Sequence, residues 1–302
     1  MEHIGSTFLS ACAATREFVF FAKEVDDIAE QGTTNSTFFR YKASDAEAQF
    51  RRYDKSMGWP AVAMATIKPP GDIRVVIGVG PAGDFWELEP LSLKERVGRV
   101  ASVGGHLRAL GVVDNTIFAC GMGRVALRRM STGKWKSFGP KPTRHDAEVV
   151  GFNDIGGFGQ NELYAVGWGG EIWWCDKGAW EQVDSPVSTN LTALTCSETG
   201  EVIVVGHDGV MLRGRHDTWQ VIETNRDDNL RDVASHAGHI YIASDFEILT
   251  LRAEGLVGDD AFADPDDRPA TCLCLLEAPD GVVSMGPKDV FMMRDGQWQR
   301  LV

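Results

Sequence analysis

Three observations predict an all-β fold: a single seven-bladed β-propeller of four-stranded antiparallel blades. First, Trp135, Trp180, Trp219 and Trp298 close four look-alike stretches, spaced 45, 39 and 79 residues apart. Second, the widest spacing is about two of the others, and a copy without its Trp fills it. That copy is GHIYIASDFEILTLRAEGLVG, with Ser244 where the others carry Gly121, Gly167, Gly206 and Gly286, and Leu256 or Val257 near the Trp position. Third, each copy divides into short runs with period-two alternation, separated by turn residues such as Asp208-Gly209 and Thr199-Gly200. Repeats of roughly 40 residues made of strands describe propeller blades. Six or eight blades would follow if the weaker upstream repeat divided differently.

The blades are expected at 6–58, 59–104, 105–144, 145–187, 188–228, 229–267 and 268–302, each running from strand A to strand D. The fifth is the most regular: LTALTCS, EVIVVG, VMLRGR and WQVIE. The third reads LRALGVV, TIFACG, VALRRM, WKSF, and the fourth AEVVGFNDIGG, ELYAVG, EIWWCD, WEQV. The sixth has LRDVASH, HIYIAS, EILTLR and a short last strand; the seventh has TCLCLLE, VVSMG, VFMMRD, WQRLV. Upstream, PAVAMATI, DIRVVIGV, FWELEP and a strand within RVGRVASV make blade two, while TFLSACAA, EFVFFAK, TFFRYK and QFRRYD make blade one. Extra residues at 24–36 and 43–58 lengthen blade one. Because the chain starts at a strand A and stops at a strand D, closure is expected from blade-to-blade packing, with no strand shared between the termini.

The Trp opening each strand D is read as packing between blades, with an indole N–H that needs a partner. Trp168, in the turn GWGG, has no such duty and is an interaction candidate. Tyr164 and Tyr241 hold equivalent B-strand positions, which also reads as packing.

With 302 residues, 43% hydrophobic and 24% charged, the chain has the composition of one large-cored globular domain. No apolar run reaches the roughly 18 residues of a membrane helix, so no membrane partner is expected. Leu9-Ser10-Ala11-Cys12 has the look of a lipoprotein cleavage box, but an acidic Met1-Glu2-His3 start with so few residues before it reads better as the first strand. Cys12, Cys120, Cys175, Cys196, Cys272 and Cys274 show no paired spacing of a zinc site. Cys272 and Cys274, two apart, should share one face of a strand. Reduced thiols and a cytoplasmic location are the expectation.

No nucleophile elbow, Walker loop, zincin motif or dinucleotide fingerprint is present, so no catalytic residue and no cofactor are assigned. Gly156-Gly157-Phe158-Gly159 reads as a turn, without the helix N-terminus that holds phosphate. His236-x-x-His239 and the acidic run Asp259, Asp260, Asp264, Asp266, Asp267 are weak metal candidates, read as solvated turn and solvated loop, and no metal is assigned.

The B-strand ending in Gly, the short turn and the closing Gly-x-Trp resemble bacterial propellers of the broad WD40 and YVTN-like class over about residues 100–302. Recurrent Gly-His and Trp-Asp dipeptides of true WD40 repeats are missing. Asp176-x-Gly178-x-Trp180 and Asp295-Gly296-x-Trp298 are similar to the Asp box of sialidase-like propellers, with a shorter spacing and no box Ser. Among bacterial proteins of this look, the resemblance implies a toxin-immunity propeller as one role.

Charge supplies the functional clue. The net charge is −13, and residues 223–267 hold twelve acidic residues against Arg226, Arg231 and Arg252. In a propeller the B–C and D–A loops emerge on one face, which would gather most of these carboxylates. Such a field speeds encounter with a basic protein and repels nucleic acid. The expected function is therefore a non-catalytic, monomeric binding propeller that grips a basic partner, such as a toxin or nuclease effector. The candidate contact residues are Trp168, His207, Asp208, Asp227, Asp228, Asp245, Phe246, Asp259 and Asp260. A general assembly scaffold, and a propeller hydrolase or lyase with a channel metal, are the alternatives.

Overall fold

The computed structural model describes residues 5–42, 50–68, 73–101, 103–141 and 150–302. They form seven four-stranded antiparallel sheets, each from one continuous stretch of chain. Blade one is β1 Ser6–Ala13, β2 Phe18–Val25, β3 Ser36–Lys42 and β4 Phe50–Met57, with the short helix α1 Asp26–Glu30 between β2 and β3. Blade two is β5 Ala63–Ile67, β6 Val75–Val79, β7 Asp84–Glu89 and β8 Lys94–Arg99; blade three is β9 Leu107–Val113, β10 Thr116–Gly121, β11 Val125–Ser131 and β12 Lys134–Ser137. Blade four is β13 Phe152–Gly159, β14 Glu162–Gly167, β15 Ile172–Asp176 and β16 Ala179–Val183; blade five is β17 Leu191–Cys196, β18 Val202–Gly206, β19 Met211–Arg215 and β20 Thr218–Ile222. Blade six is β21 Leu230–His236, β22 His239–Ser244, β23 Ile248–Arg252 and β24 Gly255–Gly258; blade seven is β25 Cys274–Ala278, β26 Gly281–Met285, β27 Val290–Arg294 and β28 Gln297–Arg300. Parts of the expected insertion at 43–58 and of the expected strand AEVVGFNDIGG lie outside the described residues.

Alternation puts every second side chain of a middle strand on each face of its sheet, and both faces are covered by neighbouring blades. Seven apolar clusters result, one at each interface from blade one with blade two around to blade seven with blade one. The ring closes on Phe8, Phe21 and Tyr41 against Val283, Val290 and Met292, with no exchanged strand. Around that contact the Phe8 N–H donates to Pro287 O at 2.9 Å, and Lys288 reaches Asp26 at 2.6 Å.

The repeated Trp fills the gap with the preceding blade: Trp135 joins the cluster of blades two and three, Trp180 that of three and four, Trp219 that of four and five, Trp298 that of six and seven. Trp180 Nε1 donates to Phe138 O at 2.8 Å and Trp219 Nε1 to His216 O at 2.9 Å. In the degenerate copy Leu256 takes the place, paired with Leu251 as Trp298 is with Met293, and packs between blades five and six.

Two local expectations are corrected. Gly156-Gly157-Phe158-Gly159 lies inside β13, not in a turn. Innermost strands converge on the axis, where a Cβ on Gly156 would stand 2.7 Å from Leu194 Cδ1 of blade five; one on Gly157 would stand 2.4 Å from Glu162 O in its hairpin partner β14. Cys272 precedes β25 instead of sharing a strand face with Cys274; it packs between blades six and seven, Cys274 against the closing contact of blades seven and one.

Candidate partner-binding face

All nine sequence candidates lie on B–C or D–A connections. Antiparallel strand order puts both sets of connections at the same end of every blade. Their positions are set by one repeated device. The residue after the B-strand glycine donates its backbone N–H to the connection entering the same blade: Met122 to His106 O at 2.8 Å, Trp168 to Gly151 O at 3.0 Å, His207 to Asn190 O at 2.9 Å, Asp245 to Asn229 O at 3.0 Å. Trp168, His207 and Asp245 are thus copies of a single position around the mouth of the channel. Glycine precedes them because a Cβ at Gly121, Gly167 or Gly206 would stand 2.0, 1.9 or 2.5 Å from that same carbonyl. Ser244 substitutes in blade six, where its Oγ accepts the N–H groups of Phe246 and Glu247 at 3.2 Å each.

Trp168 is half-buried, with the Arg108 guanidinium 5.6 Å from its ring centroid, a cation–π contact that joins blades three and four. His207 is half-buried, its Nε2 3.5 Å from Asn190 Nδ2. Asp208 and Asp227 are exposed, and Phe246 is 68% exposed.

The other acids are drawn inward. Asp228 accepts both arms of Arg226, at 2.7 and 3.0 Å, and this hydrogen bonding holds its carboxyl below the usual range. Arg226 also reaches Glu247 at 3.1 Å. Asp245 is held by Arg231 at 2.5 Å and Asn229 Nδ2 at 3.0 Å. Asp259 is 5% exposed and accepts Thr250 Oγ1 at 2.6 Å and Ala261 N–H at 3.0 Å, so it is a buried loop clasp and not a surface contact. Asp260 is exposed, 4.0 Å from Arg252. The twelve-to-three count of acids over bases therefore overstates the field, because the arginines sit directly on several of the carboxylates.

The blade axis carries a channel of about 610 Å³ lined by the seven innermost strands. Five of these strands skip a residue in their pairing, at Leu9, Arg108, Asn153, Thr192 and Arg231, and such bulges re-aim side chains. The residues after two of them are carboxylates. Asp154 accepts Leu194 N–H of the next blade at 2.9 Å, and Asp232 accepts Leu275 N–H at 2.8 Å. Burial pushes Asp154 up to about 6 against the pull of the Leu194 and Ile155 N–H donors; burial, then the charge of Asp154, pushes Asp232 up to about 8. Sequence reading passed over both, since a single Asp inside an apolar strand looks like any solvent-side residue. Burial likewise pushes the Cys196 thiol up to about 12 and that of Cys272 up to about 11, and the six cysteines are unpaired. Among the described residues, no group of three or more His, Cys, Asp or Glu is placed to hold a metal ion.

Continuous blades, a channel lined by the seven innermost strands and two sets of loops gathered at one end define a seven-bladed β-propeller. YCF48 bound to D1 peptide, among solved structures, aligns over 95% of this chain and 91% of its own with a TM-score of 0.68; at 13% identity this shows the fold alone. No family model matches the sequence. The immune protein Tsi7 of Pseudomonas aeruginosa is 31% identical over 296 residues, covering 95% of this chain and 94% of the relative. The chain belongs to the family of that immune protein.

Proposed function

We propose that this chain is an immunity protein: a non-catalytic propeller that binds a toxin and blocks it by occupying its working surface. The observation that carries this reading is the 31% identity to an immune protein along nearly the whole length of both chains. The toxin is a basic protein, and the B–C and D–A end is the face that meets it, because the exposed carboxylates of Asp208, Asp227 and Asp260 stand there. A nuclease effector suits this chemistry, since an enzyme that grips phosphates presents lysines and arginines that such carboxylates complement. The protein acts in the cytoplasm as a monomer.

The test is capture from the native organism's lysate at low and moderate salt, followed by growth assays in which the captured protein is expressed with and without this chain. One basic protein retained near equal stoichiometry, toxic alone and harmless in company, is the expected result. Many weak partners, or a retained protein that is toxic regardless, would overturn the reading.

A further inference from the structure

Uncompensated negative charge concentrates at one corner of the loop face. A groove of about 540 Å³ runs between the B–C loop of blade five and the end of β20 with the connection that follows it. Asp208, Glu223 and Asp227 line it; all three are exposed, and among the described residues none of their carboxylates has an ion pair or a hydrogen bond, although the Asp208 backbone N–H donates to Asn229 Oδ1 at 3.4 Å. Arg226, the cation lining the groove, is already committed to Asp228 and Glu247. The walls add apolar surface from Val210 and Val221, the latter 55% exposed. Through the Arg226–Glu247 bond the groove adjoins the blade-six loop that carries Phe246.

A carboxylate-rimmed groove with an apolar wall matches one side-chain type. Lysine and arginine lay an aliphatic stem on apolar surface and keep a multidentate cationic head for oxygen acceptors. Loop anchoring keeps the shape: Gly209 N–H donates to Asp228 O at 2.8 Å, and Thr224 Oγ1 donates to Gly209 O at 2.7 Å. Asp208 itself sits at φ 54°, a backbone conformation that Asp adopts more readily than most residues.

We propose that this groove is the anchoring site for a lysine or arginine side chain on a basic segment of the protein partner, with Phe246 as the aromatic contact beside it. The proposal deepens the binding reading above and rests on it for the identity of the partner, though not for the chemistry of the groove.

The probe is a short fluorescein-labelled peptide alternating lysine with glycine, and its glutamine counterpart, followed by anisotropy at low salt. Asp208→Asn with Glu223→Gln and Asp227→Asn is expected to weaken the lysine peptide about tenfold. Asp217→Asn with Glu254→Gln and Asp295→Asn removes the same charge from exposed turns at the other end of blades five to seven, and is expected to change binding less than about twofold. Unchanged thermal melts establish that both variants fold. Equal weakening by the two variants, or no preference of the wild type for lysine over glutamine, would overturn the groove. A groove that binds lysine in a protein that protects against no toxin would instead overturn the immunity reading alone.

Discussion

Asp232 of blade six accepts the backbone N–H of Leu275 in blade seven at 2.8 Å, inside the channel. Asp154 of blade four does the same to Leu194 of blade five at 2.9 Å. With Thr192, which donates to Leu230 O at 2.6 Å, and Asn153, which donates to Leu191 O at 2.7 Å, they form an inner hoop of side chains spanning blades four to seven. Innermost strands have no backbone partner on their channel edge, so such side chains link the blades there.

The two hoop carboxylates make stability depend on pH. Both have folded pKa values raised above the unfolded value near 4, to about 6 for Asp154 and about 8 for Asp232. Their contribution is fully present below pH 4 and is lost as the pH rises through 6 and then 8, where each must ionise in the channel. The larger displacement makes the loss at Asp232 the greater of the two. Melting temperature from pH 5 to 9 should fall less in Asp232→Asn than in the wild type; parallel curves would remove Asp232 as the source.

Gly167→Ala places a Cβ 1.9 Å from Gly151 O and forces apart the B–C loop that carries Trp168. A loss of about 2–4 kcal/mol is expected in urea titrations. Gly58→Ala meets nothing within 4 Å and should stay within about 0.5 kcal/mol.

Trp298 is 1% exposed and contacts Tyr241, with ring centroids 5.8 Å apart, and Phe262 at 6.4 Å. Trp298→Ala should cost about 3–5 kcal/mol. Trp219→Ala, at a half-buried copy of the position, should cost visibly less in the same denaturation experiment.

Blades two and three share a buried ion pair, Arg129 to Glu87 at 3.1 Å, with side chains 9% and 3% exposed. Glu87→Ala leaves the guanidinium buried without its carboxylate, and a loss of about 3–5 kcal/mol is expected. Replacing both residues by apolar ones should recover most of it, and a double-mutant cycle measures that recovery.

The fold was legible because a blade is a local object. Each hairpin pairs residues a few positions apart, so alternation, a Gly-bearing turn and a closing Trp appear together in a window of about 40 residues. Even the degenerate blade six was readable, since Leu256 kept the size and place that the inter-blade gap requires. What escaped depended on which side chains meet once strands and loops are folded together. Asp228, Asp245 and Asp259 looked alike as loop acids, yet one is gripped by Arg226, one by Arg231 and one is buried under Thr250. Gly156 and Gly157 read as a turn because glycine marks turns more often than it marks close approach within a sheet, here of Gly156 to Leu194 in the next blade and of Gly157 to Glu162 in its own hairpin. Glu223 drew no notice in the sequence, and becomes a groove residue only when the end of β20 stands beside Asp208.

By itself the sequence determined repeated blades of four strands, with seven favoured over six or eight, and which loops share one end of the ring. These follow from short-range alternation and turn chemistry, which a linear string records. The tertiary structure alone decided which carboxylates keep their charge exposed, which are neutralised by an arginine, and which point into the channel. Those outcomes depend on burial and on contacts that range from Arg226 with Asp228, 2 positions apart, to Leu275 with Asp232, 43 apart, which a local pattern does not record.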